Sequence, residues 1–200
     1  MTETVGIVGD VHGEFGALVE LVERASMEVD RLVFVGDYVN RGRRSAEVIQ
    51  YLVELAAGDG RPVFLAGNHD LAFRDALSGS FDRFLQMGGA ATIRSYVSPP
   101  FSDVEQQFID AVPATHRAFL KALASEFVSD DLHVAHQPPA APLKGRFGVY
   151  GHVPQENGFP AVTETAAWID TGCGMWPGGS LTCFVWPTKT WFQAGRRGLN

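Results

Sequence analysis

Three short apolar runs in the first part of the chain each end in a glycine followed by polar side chains. The runs cover residues 5–8, 32–35 and 62–66, and they end in Gly9-Asp10, Gly36-Asp37 and Gly67-Asn68-His69-Asp70. Apolar residues at helical spacing follow the first two runs. The turns are 27 and 31 residues apart, the length of a βαβ unit. Because such crossovers make strands parallel, we expect the three turns to share the carboxyl edge of one sheet.

The second part of the chain has a different pattern. Residues 81–125 show helical spacing, with interruptions at Gly88-Gly89 and Pro99-Pro100, and His116 is expected at the surface of this stretch. Short β-rich runs separated by Gly/Pro turns follow at residues 132–136, 147–151, 167–170, 181–186 and 190–193. We therefore predict one α/β (α+β) domain over residues 1–200, with a two-sheet core and a frayed tail at 195–200.

Charge and composition exclude several classes of function. The net charge is −7, whereas tracking an extended nucleic acid or an anionic membrane requires a basic face. No apolar run approaches the roughly 18 residues needed to cross a bilayer, and the first residues do not resemble a secretory signal. Cys173 and Cys183 are expected to be reduced thiols. These features predict a cytoplasmic protein and leave its oligomeric state open.

Polar side chains that suit a metal ion collect at the predicted strand ends. They are Asp10, His12, Asp37, Asn68, His69, His136 and His152. Oxygen donors mixed with imidazole nitrogens favour Mn²⁺, with Fe or Zn²⁺ as alternatives, and the lack of cysteine donors argues against a structural zinc site. A carboxylate such as that of Asp37 can bridge two cations. The sequence therefore predicts a centre for two divalent metal ions, with positions left open for water and substrate.

Five motifs resemble those of a known family. They are Gly9-Asp10-Val11-His12-Gly13, Gly36-Asp37-Tyr38-Val39-Asn40-Arg41-Gly42, Gly67-Asn68-His69-Asp70, Ala135-His136 and Tyr150-Gly151-His152. In this order they are similar to the blocks of the phosphoprotein phosphatase branch of the calcineurin-like metallophosphoesterases. Residues 169–173 and 178–182 resemble small bacterial members, which include phage-type serine/threonine phosphatases and symmetrical diadenosine-tetraphosphate hydrolases. The resemblance implies a metallophosphoesterase-type two-sheet β-sandwich flanked by helices.

The resemblance also implies a role for each motif residue. One cation would be held by Asp10, His12 and Asp37, and the other by Asp37, Asn68, His136 and His152. A hydroxide bridging the cations would attack phosphorus in line. His69 would donate a proton to the leaving alkoxide, and the planar guanidinium of Arg41 would bind two phosphate oxygens.

One departure from the family pattern concerns the proton donor. Asn40 stands where the family's protein phosphatases usually have an aspartate that pairs with the acidic histidine. An amide can accept a hydrogen bond from His69 and orient it, but it cannot stabilise the imidazolium as a charge would. Asn40 therefore predicts a weaker or more acid-shifted acid catalyst.

Two further departures concern phosphate binding. Ala66 stands where the phosphatases often have an arginine. The span between His136 and His152 is short, whereas the family usually has a longer insert there that bears another phosphate-binding arginine. Substitutes within reach along the sequence are Arg43, Arg44 and Arg146. Together with Arg41 and Asn68, they are expected to contact the substrate phosphate.

These observations predict an enzyme that hydrolyses phosphomonoesters, with phosphoserine or phosphothreonine of a phosphorylated protein, or a small phosphate ester, as substrate. Symmetrical hydrolysis of dinucleoside polyphosphates such as diadenosine tetraphosphate is the alternative. A metal-bound scaffold that has lost turnover through Asn40 and the missing arginines is the alternative outside enzymes.

Overall fold

The computed structural model describes residues 3–195, which form seven helices and ten strands. The helices are α1 (Phe15–Glu28), α2 (Ser45–Ala56), α3 (Asn68–Ala76), α4 (Asp82–Gln86), α5 (Gly89–Tyr96), α6 (Val104–Ala111) and α7 (Ala114–Ala122). The strands are β1 (Val5–Val8), β2 (Arg31–Phe34), β3 (Val63–Phe64), β4 (Glu126–Val128), β5 (Leu132–Ala135), β6 (Phe147–Tyr150), β7 (Ala161–Val162), β8 (Ala166–Trp168), β9 (Leu181–Trp186) and β10 (Thr190–Ala194). Residues 196–200 of the tail that we expect to fray lie outside the described residues, and the single domain over 1–200 stays a prediction.

The first sheet contains the predicted βαβ units. Its strand order is β10-β9-β1-β2-β3. β1 is parallel to β2, with Val5 opposite Arg31 and Val8 opposite Phe34, and β2 is parallel to β3. β9 lies antiparallel on the other side of β1. The turns after β1, β2 and β3 therefore share one edge, as the spacing predicts.

The second sheet carries the later histidines. Its strand order is β4-β5-β6-β8-β7, and β5, β6 and β8 are parallel to one another. His136 directly follows β5, and His152 comes two residues after β6. Because parallel strands end at the same edge, both histidines lie at the carboxyl edge of this sheet.

The two sheets pack face to face, and helices cover the first sheet from outside. Side chains such as Ile7, Val134 and Val149 form the core between the sheets. Side chains on the opposite face of the first sheet, such as Phe34, pack with helical residues such as Leu18. Because side chains alternate along a strand, the first sheet contributes to both cores. This is a two-sheet sandwich flanked by helices, and the predicted fold class is confirmed.

An aromatic cluster fixes α3 against the neighbouring helices. The Phe73 ring lies 5.5 Å from that of Phe84, 5.4 Å from that of Phe108 and 5.9 Å from that of Tyr96, centroid to centroid. These separations are in the range of favourable aromatic pairs. The first turn of α3 carries Asn68, so this packing also positions a predicted metal ligand.

The structure corrects the expectation for His116. Only 3% of this residue is exposed. The Tyr96 hydroxyl donates to its Nδ1 at 2.8 Å, and its Nε2 donates to Gln50 Oε1 at 2.9 Å. Burial lowers the pKa of His116, so the neutral ring uses its one donor and its one acceptor. A polar stretch does not reveal such partners, because they come from distant helices.

Two further features concern the cysteines and the helices. Cys173 and Cys183 are both buried and both free. The Cys173 Sγ lies 3.6 Å from the carbonyl of Val11.

Within residues 3–195, no helix is long and apolar enough to cross a membrane.

We predict that Phe73→Ala lowers the free energy of unfolding by about 3–5 kcal/mol, because it leaves a cavity inside the aromatic cluster. The matched control is Met27→Ala on α1, where 81% of the residue is exposed; its expected effect is within about 0.5 kcal/mol. Urea denaturation followed by circular dichroism measures both. Equal stability losses in the two variants would contradict the packing described here.

Candidate metal centre

The predicted metal ligands meet at one end of the sandwich. Asp10 and His12 follow β1, Asp37 follows β2, Asn68 follows β3, His136 follows β5 and His152 follows β6. Four of them are buried, and the remaining two, Asn68 and His152, are partly buried. Parallel pairing in both sheets brings these turns together, although residues in contact are separated by up to 142 positions.

The carboxylate of Asp37 lies at the centre of the group. Its Oδ2 is 3.8 Å from Nε2 of His12 and 3.8 Å from Nε2 of His69. The same oxygen is 3.5 Å from Nε2 of His136. Two trios with possible ligand atoms within 4.8 Å of one another share this carboxylate: His12-Asp37-His69 and Asp37-His136-His152. Since a carboxylate has two oxygens, it can serve two neighbouring cations.

Two imidazoles are oriented as metal-ligating histidines usually are. Nδ1 of His12 donates to the Val39 carbonyl at 3.1 Å, and Nδ1 of His136 donates to the Val35 carbonyl at 3.1 Å. Each neutral ring therefore directs an unprotonated Nε2 into the site. Nε2 of His136 is 2.8 Å from Oδ1 of Asn68, so two acceptor atoms face each other. Ligand atoms bound at about 2.1 Å to one cation lie at a similar separation, about 3 Å.

His69 is held in a different way. Nδ2 of Asn40 donates to its Nδ1 at 2.9 Å, while Oδ1 of Asn40 accepts from the Thr92 hydroxyl at 2.8 Å. A neutral imidazole that accepts at Nδ1 carries its proton on Nε2. This corrects the expectation that the Asn40 amide accepts from His69. In this tautomer the ring presents an N–H group to the site rather than a lone pair.

Asp10 belongs to neither trio. Its two oxygens share the backbone N–H of His152, at 3.3 and 3.2 Å. A Cβ at Gly151 would overlap Asp10 Oδ1, so a glycine is required for the second sheet to approach this carboxylate. Burial raises the pKa of Asp10, and the charges of Asp170 and Asp37 raise it further.

Burial controls the protonation of the site. It raises the pKa of Asp37, and the neighbouring charge of Asp70 raises it further. It lowers the pKa of His136 to about 3 and that of His69 to about 4, so both rings are neutral at pH 7. Neutral imidazoles among carboxylates that repel one another form a donor set that divalent cations stabilise. The residues present therefore fit the predicted metal pair.

Asp70 is a buried residue to which the sequence analysis assigns no role. Its Oδ2 accepts the N–H groups of Asp37 at 2.7 Å and Gly67 at 2.9 Å, and its Oδ1 accepts that of Tyr38 at 3.0 Å. In return, Asp37 Oδ1 accepts the N–H of His69 at 2.9 Å. Asp70 thus fastens the turn after β2 to the start of α3. Its place three residues after the N-cap glycine, where capping boxes have an acidic residue, is the signal in the sequence.

Asp170 is a second buried carboxylate that the sequence analysis does not assign to the site. Its Oδ1 accepts the N–H of Gly172 at 3.0 Å, and burial raises its pKa. It follows β8, which is parallel to β6. The rule that identifies Asp10 and Asp37, a carboxylate at the end of an apolar strand, therefore applies to Asp170 as well.

Strained backbone is concentrated at the site. Five of the predicted residues have φ values between 46° and 72°, in the left-handed region: His12, Asp37, Asn40, Arg41 and His152. Each such residue costs about 1–3 kcal/mol and persists only where its surroundings hold it in place. The fold therefore maintains this end of the sandwich against local backbone preference.

Three predicted phosphate contacts lie side by side. Arg41, Arg43 and Arg44 line a cavity of about 770 Å³. Arg44 is engaged, with its Nε 2.5 Å from Glu47 and its guanidinium 4.4 Å from the centre of the Phe15 ring. Within residues 3–195, Arg41 and Arg43 have no carboxylate within 4 Å. Both are therefore available to an anion.

The structure does not bring Arg146 to the site. Its Nε donates to the Ser129 carbonyl at 2.6 Å, just before β6 begins. His152 lies beyond the other end of that strand. Because the metal ligands follow strands and Arg146 precedes one, it lies at the opposite edge of the sheet, which corrects the expectation that it binds substrate phosphate.

Comparison with known proteins finds similarity both in sequence and in fold. A segment of 67 residues is 46% identical to the symmetrical bis(5'-nucleosyl)-tetraphosphatase of Coxiella burnetii, and it covers 32% of this chain and 22% of that protein. A crystal structure described as a candidate diadenosine tetraphosphatase has a TM-score of 0.65 at 23% identity, covering 99% of this chain and 96% of the other. At such identity the likeness shows the fold alone.

Two other solved structures share the architecture. A metallophosphoesterase from Sphaerobacter thermophilus has a TM-score of 0.58 at 18% identity, covering 98% of this chain and 89% of the other. A cold-active protein-tyrosine phosphatase of a Shewanella species has a TM-score of 0.55 at 13% identity, covering 98% of this chain and 81% of the other.

The sequence model of one family matches most of the chain. It is the calcineurin-like phosphoesterase model, and the match extends over residues 3–158. This stretch includes the turns after β1, β2, β3, β5 and β6, which carry every predicted metal ligand. The chain therefore belongs to the calcineurin-like phosphoesterase family, the class of metal-dependent hydrolases that its motifs predict.

Proposed function

We propose that this protein is a dinuclear metal-dependent phosphatase that hydrolyses phosphomonoesters, with phosphoserine and phosphothreonine of proteins as its substrates and small phosphate esters as further ones. The observation that carries the proposal is the Asp37 carboxylate, whose Oδ2 lies 3.8 Å from Nε2 of His12 and 3.5 Å from Nε2 of His136. The orientation of His69 beside it supports the same reaction, because this ring is held with its proton toward the site.

The metal ligands in this proposal are six residues. Asp10, His12 and Asp37 hold one cation, and Asp37, Asn68, His136 and His152 hold the other. When bound, the pair supplies Lewis acidity and an activated water for attack on phosphorus. Mn²⁺ is the favoured metal, with Fe or Zn²⁺ as alternatives, because the donors combine oxygen and imidazole nitrogen.

His69 is proposed as the residue that protonates the leaving group. Its Nε2 carries the proton, since Asn40 donates to its Nδ1. Burial and the charge of Arg41 lower the pKa of His69 to about 4, so at pH 7 the donor is a neutral ring. A neutral imidazole releases a proton less readily than an imidazolium does, which supports a weak acid catalyst in this chain.

Arg41 is proposed to bind the phosphate that is attacked. It immediately follows Asn40, which holds His69, so its backbone lies beside the proposed proton donor. A planar guanidinium matches two phosphate oxygens and opposes their growing charge in the transition state. Arg43 lines the same cavity and is proposed to contact the part of the substrate beyond the phosphate.

Hydrolysis of dinucleoside polyphosphates is the second candidate function. It is favoured by the segment that is 46% identical to the Coxiella burnetii tetraphosphatase. The cavity of about 770 Å³ beside Arg41 is also large enough for a nucleoside.

A parallel assay with Mn²⁺ tests the proposal and separates the candidates. We expect hydrolysis of p-nitrophenyl phosphate and a phosphoserine peptide with higher kcat/KM than of diadenosine tetraphosphate. Because His69 is a proton donor and not a ligand, His69→Asn should lower kcat for the peptide at least about 100-fold while two metal ions per chain are retained, measured by plasma mass spectrometry.

The reverse order of kcat/KM values would favour the second candidate. A metal-loaded protein that hydrolyses none of the three compounds would refute both and indicate the scaffold alternative. Loss of metal in His69→Asn would show that His69 is a ligand, against the role proposed here.

The proton-donating strength of His69 should affect kcat more for a substrate with a poor leaving group than for one with a good leaving group. Asn40→Asp places a carboxylate beside His69, which stabilises the imidazolium and makes a stronger proton donor. We expect kcat for the phosphoserine peptide, which has a poor leaving group, to rise about tenfold. The kcat for p-nitrophenyl phosphate, whose leaving group needs little protonation, should change less than about twofold. Equal changes for the two substrates would rule this explanation out.

A further inference from the structure

A second cavity, of about 570 Å³, reaches the metal ligands from another side. Its wall includes Asn68 and His136, together with Ala66, Arg74 and Arg83. None of its lining residues lines the cavity beside Arg41. The second cavity is lined by two predicted metal ligands, whereas the first is lined by none, and each of the two contains arginines.

The charge lining the second cavity is entirely positive. Arg74 on α3 and Arg83 on α4 line it, and no aspartate or glutamate does. Within the described part of the chain, neither guanidinium has a carboxylate within 4 Å. The chain as a whole has a net charge of −7, so an unpaired positive wall at this place is a local feature that favours an anion.

Arg83 shares this cavity with two predicted metal ligands, Asn68 and His136. A phosphate ester held at those ligands would therefore have an unpaired guanidinium in the wall beside it.

We propose that Arg83 binds the oxygens of the phosphate group under attack, as the partner of Arg41 across the metal centre. This inference rests on the proposed phosphatase function. It also accounts for Ala66, whose side chain faces the same cavity. The positive charge expected at position 66 is supplied instead from α4, a helix that is distant from the motifs in the sequence.

The test compares Arg83→Gln with the unmodified protein, both loaded with Mn²⁺. Loss of a charge-assisted contact with phosphate should lower kcat/KM for p-nitrophenyl phosphate about 10- to 100-fold. The inhibition constant of inorganic phosphate should rise by a similar factor, since the same oxygens are bound in the product. Arg83→Lys should lose less of both, because it keeps the charge and loses only the planar geometry.

Two controls separate binding from folding. Arg94→Gln removes an exposed arginine on α5 that lines neither cavity, and it should leave both constants within twofold. Metal content and Tm should be the same in all variants. In addition, Ala66→Arg introduced into Arg83→Gln should restore at least tenfold of the lost phosphate affinity, since position 66 lines the same cavity.

The inference would be overturned if Arg83→Gln kept both kcat/KM for p-nitrophenyl phosphate and the inhibition constant of inorganic phosphate within twofold of the unmodified protein. A fall in kcat with an unchanged inhibition constant for phosphate would also overturn it, as would a double variant that gains no phosphate affinity. Failure of the proposed function gives a different result, namely no hydrolysis by the unmodified protein. In that case the affinity for inorganic phosphate, measured by calorimetry, still decides whether Arg83 binds it.

Discussion

The site depends on one buried carboxylate that ties two turns together. Asp70 accepts backbone N–H groups from Asp37, Tyr38 and Gly67, so it connects the turn after β2 to the start of α3. Burial raises the pKa of Asp70 to about 7, and the backbone donors act against this effect by stabilising the charged form. A Cβ at Gly67 would overlap the side chain of Asp37, which shows how closely the two turns approach. The position of Asp37 at the centre of the predicted ligands follows from this attachment.

The second sheet completes the arrangement from the other side. His136 is anchored to the carbonyl of Val35 in the first sheet, and the backbone of His152 is anchored to Asp10. These bonds cross between the sheets at the end where the strained turns lie. The apolar core between the sheets is therefore what holds two half-sites in register, and the aromatic cluster around Phe73 does the same for α3. The same packing buries the carboxylates, and burial strengthens the repulsion between their charges.

The fold and the ligand positions follow from sequence because they depend on order along the chain. Apolar runs that end in Asp10, Asp37 and Asn68 define parallel strands, and parallel strands define a common edge. Side-chain contacts with partners from distant elements cannot be predicted from the order of residues along the chain. The place of Arg146 between two histidine motifs predicts a contact with substrate, but this residue precedes its strand instead of following it. The direction of the hydrogen bond between Asn40 and His69 depends on Thr92, which lies on α5 and belongs to no motif.

We predict that two divalent cations bind within reach of the Asp37 carboxylate. Anomalous diffraction at the manganese edge, from crystals grown with Mn²⁺, tests this most directly. Two peaks about 3.5–4 Å apart, one beside His12 and the other beside His136, are the predicted result. A single peak away from Asp37, or none at full Mn²⁺ concentration, would contradict the account.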